Sequence, residues 1–553
     1  MKSVKFKTFL SDVVADLSAN SVGAGPFSQK IANKLATTII TVAMIIFAPV
    51  FCYSANKIWD GGDAGANASA GANWDLDVAP VVGDSVTFPT GTKACTWDAS
   101  APTSIANFYI TAYTNTVTVS NTLTITGDLG ITSTAGTVMT LGANISVGGN
   151  LTIYDNGNTG TNVILAVSTF DCIVTGDISL TGTDSNDYGQ ITIGASSSTG
   201  LSANDVTIGA YGSILPVNGS KITASGNWDM SNANASFATS TITSTVTLTG
   251  TGTLASRTWT ANACFYNLTC AQSGNTTTVS SSGIYVYGTL KPGTGSLVSN
   301  LIVLQNYGTT ASLDVSSNPA AISTALAFNL SADASLPAYQ NYGIFYIYPN
   351  NSSSRTLTLA GDVRNTGPVE VYINNNTVNA LANTSITLNL NGKTLSCTNL
   401  NVYCYRVLNL SGSATYTPLN FTNCKAILSG ASGGIVNVSD SVSIYLRQRY
   451  FGDAETDDDT VNAGASTFDS NTEARINAGS ASFNITGSVK VYLLLDSSST
   501  NGSDMTVTQG IIAGNAVIDG GTSTWTVGGS VYTYASMDYS TTGASTSATI
   551  SGG

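Results

Sequence analysis

The densest group of side chains that could do chemistry is an acidic segment at residues 453–459, DAETDDD. Calcium binds clustered carboxylate oxygens, so a calcium ion near Asp457 is one interpretation. The spacing matches neither an EF-hand loop nor a GGxGxD calcium repeat, and a solvated loop beside Arg447 and Arg449 is the alternative that we favour. We therefore predict no cofactor, and calcium stays an open alternative at this segment.

Tyrosines separated by a single residue recur along the chain, as in the segment 283–288, GIYVYG. Residues i and i+2 of a strand share a face, so both rings of a pair lie opposite the aliphatic residues. If the aliphatic face is inward, the rings and hydroxyls point outward, where they suit sugars or partner proteins. The alternative is that tyrosine is simply a good strand residue, and the sequence leaves open whether the pairs align. The predicted contact face contains Tyr285, Tyr287, Tyr346, Tyr348, Tyr403, Tyr405, Tyr532 and Tyr534.

Histidine and cysteine usage excludes several kinds of site. The chain contains no histidine, which removes a Ser-His-Asp triad, a Cys-His dyad and His-ligated zinc. It contains eight cysteines and no CxxC motif, so a zinc or redox site has no support. Cys404 and Cys424 are about one predicted coil apart and could stack, but buried thiols that pack as small hydrophobic groups are favoured. We predict no catalytic residue and no metal ligand.

The elements that must position these side chains are short strands. Hydrophobic residues make up 42% of the chain and charged residues only 9%. In the stretch 226–297, apolar residues alternate with Thr and Ser between Gly, Asn and Ser turns, and no helix-length apolar face occurs. Alternation with a period of two predicts half-buried strands.

A repeat in which Gly precedes Asp or Asn sets the predicted coil length. The polar residues are Asp128, Asn150, Asp177 and Asn227, with Asp205 as a copy in which Asn replaces Gly, at steps of 22 to 28 residues. Such a step suits one coil of a solenoid. We expect the Gly to adopt a positive φ at a corner and the Asp or Asn to bond its own turn. The prediction is an all-β, right-handed parallel β-helix of roughly 20 coils.

Residues 1–55 resemble a signal peptide with an extended basic leader. Five lysines and two aspartates precede Ala55, and an apolar run follows at 35–50. Cleavage after Ser54 or Ala55 is expected, and the alternative is a retained membrane anchor, for which the run is short. The total charge of −13 therefore places −16 on the remainder. So acidic a body predicts no nucleic-acid partner, because few cations are present to replace phosphate counterions.

Residues 56–110 carry a distinct N-terminal pattern. It contains a Trp59-Asp-Gly-Gly turn, an Asn-Trp at Trp74, and Gly-Asp-Ser-Val-Thr-Phe at 83–88. This pattern resembles the start of secreted bacterial parallel β-helix surface proteins, including autotransporter-type passengers and adhesins. The resemblance implies export and a surface or extracellular role, and it brings no catalytic residue. Trp59 and Trp74 are predicted to cap the first coil, with a sugar platform as the alternative.

The predicted organisation is therefore a leader at 1–55, a cap with first coils at 56–110, and a parallel β-helix at 111–553. Two interpretations of the C-terminus stay open, a simply secreted chain and a fragment of a longer protein, and the second is favoured. We expect a secreted or cell-surface, non-enzymatic adhesin or stalk that contacts carbohydrate or surface proteins. We expect contact with a membrane only through the export signal, and self-assembly of the chain is an open alternative. The alternatives are an enzyme resembling polysaccharide lyases and a structural surface-layer or sheath subunit.

Overall fold

A computed structural model describes residues 55–551 of the 553-residue chain, with gaps. The chain divides into the units Met1–Ala55 and Asn56–Gly553, and the predicted leader lies, apart from Ala55, outside the described residues. No described helix is long and apolar enough to cross a membrane. The gaps are 92, 135, 158–159, 196–198, 239, 257–263, 271–272, 281–282, 351–352, 376–380, 410–420, 452–459, 463–470, 499–505, 509–513 and 538–546.

One parallel sheet of 19 strands, sheet A, runs through the described chain from end to end. Two of its strands, Thr276–Val279 and Ile284–Val286, pair with the same neighbour, Ser296–Tyr307, so the described strands form 18 rungs. At ~4.8 Å per rung the stack is roughly 80 Å long. Its strands are Asn56–Ile58, Ser85–Phe88, Phe108–Thr111, Leu129–Ser133, Leu151–Asp155, Ile178–Thr181, Val206–Ile208, Trp228–Met230, Gly252–Ser256, Thr276–Val279, Ile284–Val286, Ser296–Tyr307, Ala321–Leu330, Ile344–Pro349, Val369–Asn375, Leu400–Asn409, Val442–Phe451, Val489–Ser498 and Val531–Met537.

Two further parallel sheets complete the coils of the N-terminal half. Sheet B follows sheet A in the chain, and sheet C follows sheet B. The strands of sheet B are Cys95–Trp97, Thr116–Val119, Val138–Leu141, Val163–Ser168, Gly189–Ile193 and Gly212–Pro216. Those of sheet C are Ser104–Ile105, Leu123–Ile125, Ile145–Val147, Cys172–Val174, Leu201–Ala203, Lys221–Ala224, Thr245–Leu248, Asn267–Cys270, Thr289–Pro292 and Ser312–Leu313.

Sheets D and E take the equivalent places in the C-terminal half. The strands of sheet D are Ala334–Leu336, Arg355–Leu359, Ser385–Asn389, Lys425–Ser429, Glu473–Asn477, Asn515–Asp519 and Ser547–Ser551. Those of sheet E are Tyr339–Tyr342, Val363–Asn365, Thr394–Cys397, Ile435–Val438, Ser482–Ile485 and Thr524–Val527. Two short pairs, Leu381–Ala382 with Phe421–Thr422 and Thr460–Asn462 with Thr506–Thr508, and two 3-10 turns, Gly71–Asn73 and Asp75–Asp77, complete the described elements.

The strands form because their side chains alternate between the core and the outer surface. In Leu129–Ser133, for example, buried and half-buried positions alternate along the whole strand. Valine, isoleucine and leucine fill the inward positions and form one cluster that extends through the stack. Each such side chain contributes about 1.5–3 kcal/mol when fully buried, so the parallel β-solenoid predicted from the period-two pattern is confirmed.

The repeated Asp and Asn residues connect successive coils and do not bond their own turns, so that expectation was wrong. The Asp128 side chain accepts the backbone N–H of Asn150 at 2.8 Å, and Asn150 accepts that of Asp177 at 2.9 Å. Asp205 and Asn227 continue the series with 3.1 and 2.7 Å bonds to the preceding members. We call this series the Asx ladder. Each member satisfies a donor in the next coil and thereby helps to set the coil register.

The glycine before each ladder residue is required by space. The positive φ that we expected at these corners is not found at Gly127, Gly149, Gly176 or Gly226. A Cβ atom at any of them would overlap the Asn or Asp side chain of the preceding coil. The glycine therefore leaves room for the oxygen that accepts the ladder hydrogen bond.

The first coil is closed by an aromatic cluster. Trp59 and Trp74 are 3% and 0% exposed, and their rings meet edge to face at 5.2 Å. This burial leaves no exposed indole face for a sugar, against the sugar-platform alternative. Lys93 holds the segment in place by donating to the backbone oxygens of Gly61 and Asp63 and to Asn73 Oδ1.

Candidate functional site

The structure places the predicted tyrosines on or directly beside the strands of one sheet. Seven of the eight lie on strands of sheet A, and Tyr287 directly follows one. Their aliphatic neighbours are buried, as at Val286 and Ile347 with 0% exposure, so the described rings point away from the core. The strands that carry them are Ile284–Val286, Ile344–Pro349, Leu400–Asn409 and Val531–Met537.

The register of sheet A aligns six tyrosines on successive rungs, which we call the tyrosine column. Tyr372 is paired with Tyr403, and Tyr403 with Tyr445. The backbone register continues from Tyr445 through the next two rungs. The column consists of Tyr348, Tyr372, Tyr403, Tyr445, Tyr492 and Tyr534, of which the last two are placed by backbone register alone.

The rings of the column stack on one another. Centroids are 5.3 Å apart between Tyr348 and Tyr372, 5.1 Å between Tyr372 and Tyr403, and 4.6 Å between Tyr403 and Tyr445. The last two ring pairs are nearly parallel, at 4° each. Because neighbouring rings cover each other's faces, the described part of the column presents ring edges to the outside. The surface is a narrow amphipathic stripe with one ring per rung.

A hydrogen bond to a neighbouring carboxylate holds the centre of the column. Tyr403 is 9% exposed, and its hydroxyl donates to Glu370 Oε2 at 2.6 Å. Asn401 Nδ2 donates to the other oxygen of Glu370 at 3.4 Å. Burial, followed by the charge of Glu370, raises the pKa of Tyr403 far above its usual value. The phenol is therefore neutral and acts as a donor throughout the physiological pH range.

The other predicted tyrosines flank the column or precede it. Tyr346 lies opposite Glu370 in register, and its ring meets Tyr372 at 6.4 Å. Tyr285 and Tyr287 contact each other at 6.2 Å on an earlier rung. By register, Tyr405 lies beside Arg447 and Tyr532 beside Lys490, in columns adjacent to the tyrosine column.

Polar residues interrupt the line between the first tyrosine pair and the column. Gln305 and Asn329 occupy the two rungs before Tyr348. Asn329 Nδ2 donates to Gln305 Oε1 at 3.0 Å. The stacked column therefore begins at Tyr348.

Sequence reasoning missed Tyr372, Tyr445 and Tyr492, because it searched for pairs of tyrosines. Each of the three is a single tyrosine between aliphatic residues, in VYI, IYL or VYL. Alignment of these short apolar strands, rather than a search for pairs, is the signal that could have found them.

The cysteines are buried thiols, as favoured from the sequence. All seven described cysteines are buried, and none is in a disulfide. The alternative in which Cys404 and Cys424 stack on successive coils does not hold, because both lie in one coil. Cys404 is in a strand of sheet A, whereas Cys424 directly precedes a strand of sheet D. The coil is long in this region, because the next rung of sheet A begins only at Val442.

The acidic segment 453–459 lies outside the described residues, so the calcium interpretation is not tested. Arg447 and Arg449 lie in the strand Val442–Phe451, and nothing is described of their side chains. Among the described residues, no three His, Cys, Asp or Glu side chains come together as a metal site.

Comparison of the chain with protein-family models, curated proteins and solved structures gives no match. A function for this solenoid must therefore be argued from its own surfaces.

Proposed function

We propose that this chain is an exported, non-enzymatic β-solenoid that acts as a stalk or adhesive surface outside the cell, where it contacts carbohydrate or partner proteins. The tyrosine column carries this proposal. It is a linear surface that repeats once per rung, and its rings are held by one another before any partner arrives. A preorganised surface loses little conformational entropy on binding. Tyrosine also combines a large apolar contact area with a hydroxyl.

The leader supports export. Its lysines precede an apolar run, as in a signal peptide. Cleavage after Ser54 or Ala55 would produce a chain that begins just before the first strand, Asn56–Ile58. Expression of the full chain with N-terminal sequencing of the culture medium and membrane fraction tests this step. A secreted chain that begins at Ala55 or Asn56 supports export, whereas an uncleaved membrane-bound chain contradicts cleavage.

The adhesive role is tested by retention on immobilised polysaccharides and on surface-protein extracts. Tyr372→Ala combined with Tyr445→Ala should weaken retention at least tenfold, because it removes alternate rings of the stack. Tyr154→Ala is the matched control, because Tyr154 also lies on sheet A, is 37% exposed and lies outside the column. Equal loss in the control would contradict a specific role for the column.

The same incubations separate the two rival functions. Retention without turnover supports an adhesive surface. Shortened polysaccharide or unsaturated sugar products would instead establish a lyase. Ordered assembly of the purified chain into sheets, visible by electron microscopy, would favour a surface-layer subunit.

A further inference from the structure

A polar groove on sheet E is a second elongated surface of the solenoid. It has a volume of about 860 Å³ and crosses five successive rungs. It lies on a different sheet from the tyrosine column. The residues that line it include Arg364, Ser396, Asn437, Asn484 and Thr526 on the strands, and Thr366, Thr398, Ser439, Thr486 and Gly528 at the turns that follow.

Two parallel columns of hydrogen-bonding side chains follow the length of the groove. The strand positions pair in register, with Ser396 beside Asn437 and Asn437 beside Asn484. Asn484 Nδ2 donates to Asn437 Oδ1 at 2.9 Å, and Asn437 Nδ2 donates to Ser396 Oγ at 3.3 Å. Two residues further along each rung, a Thr or Ser follows on four of the five rungs. Polar side chains of differing type thus recur along the groove at the rung spacing of ~4.8 Å.

The lining favours a neutral polymer over a protein or a polyanion. Arg364 is the only charged residue among those that line the groove, whereas the chain as a whole carries −13. A polyanion would be repelled by this field. The apolar lining residues Val438 and Ile485 are 2% and 3% exposed, so the groove lacks the large apolar anchors typical of protein interfaces.

We propose that this groove binds an extended, neutral, β-1,4-linked polysaccharide along the solenoid axis, with about one sugar per rung. An extended chain of this kind repeats its hydroxyl groups at close to the spacing of the rungs. Its hydroxyls can donate to the amide oxygens and accept from the Thr and Ser hydroxyls. The inference rests on the proposed function in taking carbohydrate as the ligand class, and it assigns that ligand to a surface other than the tyrosine column.

Affinity electrophoresis of the full chain tests this assignment. The gels contain konjac glucomannan or hydroxyethylcellulose as neutral polymers and polygalacturonate as the polyanion. We expect a neutral polymer to slow the native chain and polygalacturonate to leave it unaffected. Asn437→Ala combined with Asn484→Ala should raise the dissociation constant at least tenfold. Thr486→Trp, at an exposed position, fills the groove without disturbing the core and should have the same effect.

The matched control is Asn477→Ala, because Asn477 lies in the same coil on sheet D and should bind as the native chain does. Unchanged mobility shifts in both groove variants, or retardation of the native chain by polygalacturonate alone, would overturn the inference. Loss of binding in the Tyr372→Ala, Tyr445→Ala chain but not in the groove variants would overturn it while supporting the proposed adhesive function. If neither neutral polymer shifts the native chain, the inference is also overturned. The proposed adhesive function is then tested separately, by retention of the chain on surface proteins.

Discussion

The hydrogen bond between Tyr403 and Glu370 should carry a measurable part of the stability of the tyrosine column. Tyr403→Phe removes the hydroxyl that donates to Glu370 Oε2 at 2.6 Å and leaves both ring stacks in place. Hydrogen bonds to charged groups contribute about 1.5–3 kcal/mol. Glu370 is only half-buried, so water screens the pair and the lower value applies. Tyr403→Phe should therefore lower the free energy of local unfolding at these rungs by about 1.5 kcal/mol.

Tyr403→Ala should cost more, because it also removes the ring. Replacement of a buried aromatic side chain by alanine costs about 3–5 kcal/mol, and Tyr403 is 9% exposed with a ring stacked on each side. We therefore expect about 3 kcal/mol, at the lower end of that range. This difference separates the contribution of the hydroxyl from that of the stack.

Amide hydrogen exchange with mass spectrometry is the suitable assay, because a solenoid opens locally and each rung has its own stability. A loss of about 1.5 kcal/mol speeds exchange of the strands Val369–Asn375 and Leu400–Asn409 roughly tenfold. Tyr372→Phe is the matched control, because the Tyr372 hydroxyl has no hydrogen-bond partner among the described residues. A double-mutant cycle with Glu370→Gln should give a coupling of about 1 kcal/mol. Equal effects of the two Tyr→Phe changes, or no coupling, would refute the reasoning.

Four further predictions concern the interior and the coil contacts. Burial raises the pKa of the thiols, to about 12 at Cys172. The folded Cys52→Ser chain should therefore not react with Ellman's reagent at pH 8, whereas its seven remaining thiols should react in urea. Reaction of the folded chain would contradict this prediction. The thiol pKa in the folded chain lies above the unfolded value of 9.0, so the contribution of the buried protonated thiols to stability is complete below pH 9 and is lost as the pH rises towards 12. The urea midpoint should therefore fall between pH 9 and 12, and a constant midpoint would contradict this prediction. Lys93→Met should speed exchange in the N-terminal cap about tenfold, since three oxygens lose their donor, and slow exchange would show that the aromatic cluster suffices. Asn150→Ala should cost about 1 kcal/mol by removing the acceptor of the Asp177 N–H, and Asn150→Asp should restore exchange rates if the ladder bond is responsible.

The tyrosines show which features of the candidate site could be predicted from the local sequence pattern. Alternation indicated correctly that Tyr348 and Tyr403 face outward, because a side chain's face depends only on its position within its own strand. That they belong to one column with Tyr372 and Tyr445 depends on register between strands 24 to 42 residues apart. Loops of unequal length hide that register, and pairing of backbones across the coils decides it.

The Gly-Asp and Gly-Asn repeat shows the same limit in another form. Its spacing identified the coil, but the roles expected for its residues were local ones, a corner φ and a turn bond. In the folded chain the Asp128 side chain bonds the backbone of Asn150 in the next coil, and Gly149 is small because it stands against that side chain. Residues 22 apart in sequence become neighbours only when the coils stack.

The sequence by itself determined the strand period, the approximate coil step and the outward direction of tyrosines such as Tyr346 and Tyr348, because these follow from the alternation and spacing of residue types along the chain. The tertiary structure alone decided which rungs stack, and therefore the six-residue tyrosine column, the Tyr403–Glu370 bond and the polar groove on sheet E. Each of these is an array with one member per coil. Its members meet only through parallel pairing at ~4.8 Å, a distance that no local pattern contains.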